Sequence, residues 1–326
     1  AAWSLNGGRL GRVHSLEPLL VVSDLDRTLF GHEFDKPTGR VLDPGDEALS
    51  EFRNAWCERY ALGGCHLVYC TGRDKRKALA TLAEKRMPRP SLLICGVGTE
   101  IYEVPADLPS CDGAWAADPD RIPINREWAE QMSFDRGLVW GVLRDKFPRF
   151  RPYDGDSAEK NPCRVSAVYP IDGNLPEGVE AESDEDFSRS VQQLSEALGP
   201  AVQVIASGNN GGWSCVDVCP SVAGKLSGLR FAIDRLGVPA ARTLACGDSG
   251  NDEGLFRCPG TRCVAVGNSM PALLDLLRAS AAGGPGAVDR GREFETRAGS
   301  TVYFATRDAA GGVLEALGRF WPTGGG

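Results

Sequence analysis

The stretch Val21-Val22-Ser23-Asp24-Leu25-Asp26-Arg27-Thr28-Leu29-Phe30 decides how the rest of the chain is read. Leu19 to Val22 is a short apolar run of the length of a buried strand. Asp24 and Asp26 follow at once, one leucine apart. On extended backbone, residues two apart point the same way. A strand ending in D-x-D is therefore expected to bring two carboxylates to one spot at its carboxyl end, the edge where open α/β sheets bind ligands. Two like charges so close repel unless a cation or a proton sits between them. An Asx-rich turn after a strand has the same spelling, so distant parts of the chain must decide.

The chain of 326 residues suffices for one large or two ordinary domains. Its hydrophobic share of 42% and charged share of 25% are those of a globular protein. A net charge of −8 counts against nucleic acid and anionic membranes as partners, and it obliges a phosphorylated substrate to find a local basic pocket. No apolar run approaches the ~20 residues of a membrane span. The opening AAWSLNGGRL lacks Met and a signal-peptide pattern, as a processed form or a piece of a longer chain would. Eleven cysteines and three histidines raise the question of metal. Their spacing does not support it: there is no C-x-x-C, and His14, His32 and His66 are scattered. The odd count and the apolar settings of Cys70, Cys95 and Cys246 predict free buried thiols in a reducing compartment. The expected location is thus cytoplasmic, with a plastid left open. Lys225 is the only lysine beyond residue 160 in an arginine-rich chain, which hints that a compact ammonium is required there.

Outward from the first strand, residues 31–45 read as a loop rich in Gly, Pro and Asp. Asp46 to Tyr60 has helical apolar spacing. His66 to Cys70 is a strand ending in Thr71-Gly72-Arg73, ahead of a helix over Lys75–Arg86. Leu92 to Cys95 is a third strand, closed by Gly96-Val97-Gly98-Thr99-Glu100. This alternation predicts an α/β, doubly wound (Rossmann-like) parallel sheet. Over residues 105–213 the rhythm fails. Helices are expected over Glu127–Phe147 and Asp184–Leu198, with strands at Arg164–Tyr169 and Val202–Ala206, as in an inserted α+β cap with an antiparallel sheet. Gly208–Gly212 reads as a turn or hinge at the return crossing. The parallel rhythm resumes with a strand at Cys215–Val218, the helix opened by Lys225 and the strand Thr243–Cys246. A strand at Cys263–Val266, a helix at Pro271–Ala279, a strand at Thr301–Ala305 and a helix at Gly312–Phe320 follow. The expected division is a core of residues 1–104 and 214–326 split by a cap of residues 105–213.

Three strand ends thus carry chemistry: Asp24 and Asp26; Thr71; and Asp248, Asn251 and Asp252 of the run Gly247-Asp248-Ser249-Gly250-Asn251-Asp252. The glycines of that run permit a tight turn that faces Asp248 and Asp252 to one point, and carboxylates suit a hard divalent cation such as Mg²⁺ beside phosphate. In this order, the four signals resemble the motifs of the haloacid dehalogenase superfamily: DLDRT (24–28), TGR (71–73), Lys225 and GDSGND (247–252). The insertion is similar to the α/β caps of its sugar-phosphatase branch. GVGTEIY (96–102), Arg164-Val165-Ser166, the VDVCP-x4-K run (216–225) and the tail YFATRDAAGGVLEALGRF (303–320) resemble the sucrose-phosphate phosphatase family in particular. The resemblance spans nearly the whole chain from residue 19.

The resemblance implies a Mg²⁺-dependent phosphatase acting on a small-molecule sugar phosphate, sucrose 6-phosphate first. It implies Asp24 as nucleophile and Asp26 as acid and then base. Mg²⁺ would be held by Asp24, the Asp26 carbonyl and Asp248, with Asp252 touching the ion or standing behind its ligands. Thr71 and Lys225 would neutralise phosphoryl oxygens, with Gly72 beside them, and Asn251 would position Lys225 or bind phosphate. Glu100, Arg164, Ser166 and Asn268 are the implied sugar contacts, and a sucrose-phosphate synthase is an admitted protein partner. The chain departs from the family at Arg27, where Asn or Gly is common, at Arg164, where Lys is usual, and over residues 208–214, which are expanded. The extra C-terminal domain of the plant enzymes has no counterpart in these residues. Two other readings stay open: a phosphatase for mannosyl-3-phosphoglycerate or glucosylglycerol phosphate, and a non-catalytic sugar-phosphate-binding module.

Overall fold

The computed structural model describes residues 17–31, 47–153, 156–171, 175, 178–210, 212–284 and 288–322. His14, His32 and all but Gly31 of the loop expected over residues 31–45 lie outside them. The chain opens its main sheet with β1 (Leu20–Ser23), β2 (His66–Cys70) and β3 (Leu92–Cys95), then doubles back as β4 (Glu100–Glu103). Four strands of a separate sheet follow: β5 (Arg151–Pro152), β6 (Val165–Pro170), β7 (Val202–Asn210) and β8 (Trp213–Pro220). The chain returns as β9 (Thr243–Gly247), β10 (Arg262–Ala265), β11 (Glu293–Glu295) and β12 (Thr301–Phe304). The main sheet is ordered β11-β12-β10-β9-β1-β2-β3-β4, and all its pairings are parallel except those of the edge strands β4 and β11. This is the expected doubly wound core. The chain leaves β1 for β2 on one side and reaches β9 on the other, so the switch point where such sheets bind ligands lies at the end of β1.

The strand period of two explains why β1 is apolar throughout. Leu19 and Val21 pack on one face of the sheet with Phe52, Leu79 and Leu317, while Leu20 and Val22 pack on the other with Leu229, Leu255 and Leu273. The helices that cover these faces are α1 (Glu47–Ala55) and α2 (Lys75–Glu84), and later α6 (Lys225–Leu236), α7 (Pro271–Ser280) and α8 (Ala309–Phe320). A single helix over Glu127–Phe147 does not form. The chain makes α3 (Arg126–Ala129), breaks, and restarts as α4 (Arg136–Lys146), because Asp135 caps the second helix by accepting a hydrogen bond from Leu138 N at 2.9 Å.

The smaller sheet is antiparallel, in the order β5-β6-β8-β7. One face packs on α4 and α5 (Asp184–Leu198) through Val165, Ala167, Tyr169, Val216 and Val218. Both expected boundaries of the insertion need correction. Trp115 is buried in the main core and donates from Nε1 to Met87 O at 2.8 Å, and Met132 still packs on the main core, so residues 105–132 belong there. At the other end, β8 was expected in the parallel sheet and is the strand between β6 and β7 instead. An apolar strand does not declare which sheet it will join, because that depends on its pairing partners. Gly212, at φ 93°, is part of the β7–β8 hairpin and not of the return crossing, and Gly211 lies outside the described residues. The crossing back to the core holds Gly224, at φ 94°; a Cβ on Gly98 would stand 2.4 Å from its carbonyl oxygen.

The expectation of free thiols holds for nine cysteines and fails for a pair: Cys57 and Cys111 form a disulfide with Cα atoms 5.8 Å apart. Neither sits on a strand, and their separation of 54 residues leaves no local spacing signal. Among the described residues, no helix is long and apolar enough to cross a membrane.

Candidate active site

The end of β1 meets the ends of its two neighbours. Asp24 N donates to Cys246 O at 3.1 Å, which extends the ladder by one residue past Ser23 and aims the Asp24 carboxylate out of the sheet edge. Lys225, the first residue of α6, is wholly buried; its Nζ lies 3.0 Å from Asp24 Oδ1 and 2.6 Å from Asp252 Oδ1. The other Asp252 oxygen accepts from Asp248 N at 3.0 Å and Ser249 N at 3.1 Å, which ties the run after β9 into a compact turn. Asp248 Oδ1 accepts from Thr28 Oγ1 at 2.8 Å, and its Oδ2 accepts no hydrogen bond from the described residues and lies 3.4 Å from Arg27 Nε. One carboxylate oxygen from each of Asp24, Asp248 and Asp252 falls within 4.8 Å of the others.

Of the three buried carboxylates, Asp24 and Asp252 share one buried ammonium, and Asp248 faces Arg27. Burial, only partly relieved by Lys225 and aggravated by Asp252, pushes Asp24 from 3.8 to about 7. Burial, with Asp252 and Asp24 beside it, pushes Asp248 well above the carboxylate range, against the opposing pull of Thr28 and Arg27. Burial works against the charge on Lys225, but Asp24 and Asp252 more than offset it and hold the ammonium above its ordinary range. An excess of buried negative charge, hard oxygen donors and an Asp248 oxygen without a hydrogen bond fit a divalent cation. Asp252 fits less well as a ligand, since both its oxygens already accept protein donors.

Asp26 does not join this cluster. The strand ends at Ser23, so the two-residue period that would align Asp24 and Asp26 no longer applies. The chain instead turns through Arg27 at φ 62°, and the Asp26 carboxylate faces Arg73. Arg73 Nε and Nη2 donate to its two oxygens at 2.7 and 2.6 Å. Thr71 is buried just past β2, where its Oγ1 accepts from Arg73 N at 3.2 Å.

The expected sugar contacts scatter. Arg164, just before β6, donates from Nη1 to Gly72 O at 2.6 Å, and its Nε lies 3.6 Å from Asp217 Oδ1. Ser166 pairs with Asp217 across β6 and β8, and its hydroxyl donates to that carboxylate. Both lie on the face of the cap sheet opposite α4 and α5. Glu100 opens β4 nearly buried; burial raises its pKa, while a Tyr102 hydrogen bond and Arg164 lower it. Asn251 bonds Ser207 of the cap at 3.2 Å, and the groups on Lys225 are Asp24 and Asp252 instead. Asn268 holds a backbone turn, donating to Arg27 O and accepting from Ala309 N, each at 2.7 Å, which leaves one amide N–H and one carbonyl lone pair for another partner. A cleft of about 1470 Å³ between cap and core is lined by Lys225, Asn251, Asn268, Arg27, Gln203 and Ser207, while Glu100, Arg164 and Ser166 are not in its wall.

Sequence reasoning passed over Thr28, Arg73 and Asp217. All three sit inside quoted motifs, Asp217 in the VDVCP run, so the signal was present. Asp217 becomes meaningful only through its register opposite Ser166.

The comparisons with known proteins agree with one another. The family model described as sucrose-6F-phosphate phosphohydrolase matches residues 17–165 and 178–321. Sucrose-phosphatase 1 of Nicotiana tabacum is 29% identical over 314 residues, 95% of this chain; the chain spans about three fifths (61%) of that protein's length. More distantly, mannosylfructose-phosphate phosphatase of Agrobacterium fabrum is 22% identical, over 94% of this chain and 98% of its own. The sucrose-phosphatase of Synechocystis sp. PCC6803, solved with sucrose and phosphate, superposes with a TM-score of 0.67 at 25% identity, over 94% of this chain and 98% of that one.

Proposed function

We propose that this chain, which belongs to the sucrose-6F-phosphate phosphohydrolase family, hydrolyses a sugar phosphate, sucrose 6-phosphate first, through a phosphorylated Asp24. The observation that carries the proposal is the buried Asp24 carboxylate at the switch point, 3.0 Å from Lys225 and grouped with Asp248 and Asp252. Asp24 attacks phosphorus and the sugar oxygen departs, so that one P–O bond forms as another breaks. Asp26 gives that oxygen its proton and later takes one from the hydrolytic water, whose oxygen bonds phosphorus as the Asp24–phosphorus link breaks and phosphate leaves. Lys225 and Thr71 meet the phosphoryl oxygens, where charge spreads in the transition state. Asp24, the Asp26 carbonyl and Asp248 would hold Mg²⁺, which would supply neutralising positive charge to the site when bound. Asp252 stands behind these ligands and orients Lys225.

The core meets only a phosphate, so choice among esters falls to the cap. The cap reads the sugar as a lid, and closure keeps water out until the sugar has left. Arg164 to Gly72, Asn161 Nδ2 to Thr99 Oγ1 at 2.7 Å and Asn251 to Ser207 are contacts that a closed lid would make. A sucrose-phosphate synthase is the protein partner this reading admits. A second reading keeps the chemistry and changes the glycosyl group. Arg164 favours it, since a fork stands where the family usually has lysine. Phosphate release with Mg²⁺ from sucrose 6-phosphate, mannosylfructose phosphate, mannosyl-3-phosphoglycerate and glucosylglycerol phosphate tests both. The highest kcat/KM is expected on sucrose 6-phosphate; a higher value on another ester replaces the substrate, and no release from any leaves a binding module.

A further inference from the structure

The Thr71-Gly72-Arg73 turn contributes more than a hydroxyl. All three guanidinium nitrogens of Arg73 donate: Nε to Asp26 Oδ2 at 2.7 Å, Nη2 to Asp26 Oδ1 at 2.6 Å and Nη1 to Thr81 Oγ1 on α2. The Arg73 backbone is held as well. Its N–H donates to Thr71 Oγ1 at 3.2 Å, and its carbonyl accepts from Gly96 N at 2.9 Å. The fork is thus anchored to β2, to α2 and to the loop after β3. Asp26, by contrast, sits past the end of its strand, in a turn that Arg27 makes at φ 62°. Its carboxylate takes its place from the fork, because a bidentate pair fixes both oxygens at once.

We propose that Arg73 is the positioning residue for Asp26 and sets where the proton-transferring carboxylate stands when the leaving oxygen departs. The inference rests on the reading of Asp26 as the proton carrier. A sugar leaves as an alcohol and needs a proton in the transition state, whereas p-nitrophenolate leaves without one. A misplaced Asp26 therefore penalises the sugar ester selectively. Lysine keeps the charge of Arg73 and loses the fork. The same link reaches the cap, since Arg164 donates to the carbonyl of Gly72, one residue before Arg73.

The test compares kcat/KM, which reports every step up to departure of the leaving group. The substrates are p-nitrophenyl phosphate and the sugar phosphate that the wild-type chain turns over best. The variants are Arg73→Lys, Arg73→Gln, Asp26→Asn and Arg73→Lys combined with Asp26→Asn, each checked for folding by its melting curve. Arg73→Lys and Asp26→Asn should each lower the ratio of sugar-phosphate to p-nitrophenyl-phosphate kcat/KM by about 10²-fold. Arg73→Lys should lower it no further once Asp26 is Asn, because residues that act through one another do not add. A lowered ratio in Asp26→Asn with an unchanged ratio in both Arg73 variants overturns the positioning role and leaves the proton carrier in place. An unchanged ratio in Asp26→Asn removes the proton carrier and this inference with it.

Discussion

At the sheet edge, Lys225 is sealed between Asp24 and Asp252, whereas on the cap Arg164 reaches across to the Gly72 carbonyl and keeps 3.6 Å from Asp217. Both are cations among carboxylates. The core cation is held by residues whose identity the chemistry demands, at the ends of strands that the core already fixes. The cap cation is held by a carbonyl, which any residue offers, and by a carboxylate that comes into reach only through the register of β6 on β8. On the proposed function, the difference separates the step that needs only phosphate from the groups that would choose a sugar, and three substitutions or conditions probe it in order of size.

Asp24→Asn carries the largest expected effect. No other described carboxylate sits at the end of β1 facing Lys225 with an oxygen free for attack, since Asp26 is taken by Arg73 and Asp252 by four donors. The substitution should lower kcat by at least ~10³-fold on sugar phosphates and p-nitrophenyl phosphate alike. A loss confined to the sugar phosphate would dissolve the contrast between core and cap.

The proposed metal site comes next, and its pH dependence has a definite sign. In the metal-free protein Asp24 is raised from 3.8 to about 7, chiefly by burial. Below about pH 7 a proton occupies the place a cation would take, so Mg²⁺ binding should weaken by about tenfold per pH unit for each proton displaced. Calorimetry at pH 8 and pH 6, in buffers of different ionisation heat, would show proton release on binding. Without metal, the raised carboxylates bind more protons folded than unfolded. Stability from this source is therefore full below about pH 4 and lost as pH rises through 7. A melting temperature that drops over that range in chelator and recovers with Mg²⁺ is expected. An affinity equal at both pH values would remove the carboxylate cluster as the metal site.

The parallel core was legible because its strands are buried on both faces and so read as unbroken apolar runs: Leu20–Val22, Leu67–Cys70, Leu92–Cys95 and Thr243–Cys246. Asp24, Asp248, Asp252 and Lys225 were legible because each stands at the end of such a run or the start of a helix, where position along the chain fixes position in space. Three things were not. The D-x-D rule assumes that the strand continues, and it ends at Ser23. The apolar pattern of β8 suits either sheet, which moved the cap boundary. Asn268 and Asn251 have the chemistry of ligand contacts, but part of each amide is engaged by a backbone turn or by Ser207, and no sequence pattern records such partners.

The smallest expected effect is the most discriminating for the cap. Arg164 has two candidate duties. It docks the cap by donating to Gly72 O at 2.6 Å, and it stands with Ser166 and Asp217 on the sheet face turned away from α4 and α5, where a sugar's hydroxyls would need partners. Its Nε accepts no such duty yet: it is buried without a hydrogen bond, 3.6 Å from the Asp217 carboxylate. If it serves the sugar, Arg164→Ala leaves a substrate hydroxyl and Asp217 short of a partner, a loss of about 1–3 kcal/mol. That corresponds to about 5- to 150-fold in kcat/KM on the disaccharide phosphate beyond whatever is lost on p-nitrophenyl phosphate, which carries no sugar. If it serves only docking, the Gly72 turn loosens for every substrate and the two losses are equal. Arg164→Lys sharpens the result: an ammonium reaches one acceptor at a time, so a lysine that restores discrimination would place the sugar, and not the Gly72 carbonyl, as the partner that matters.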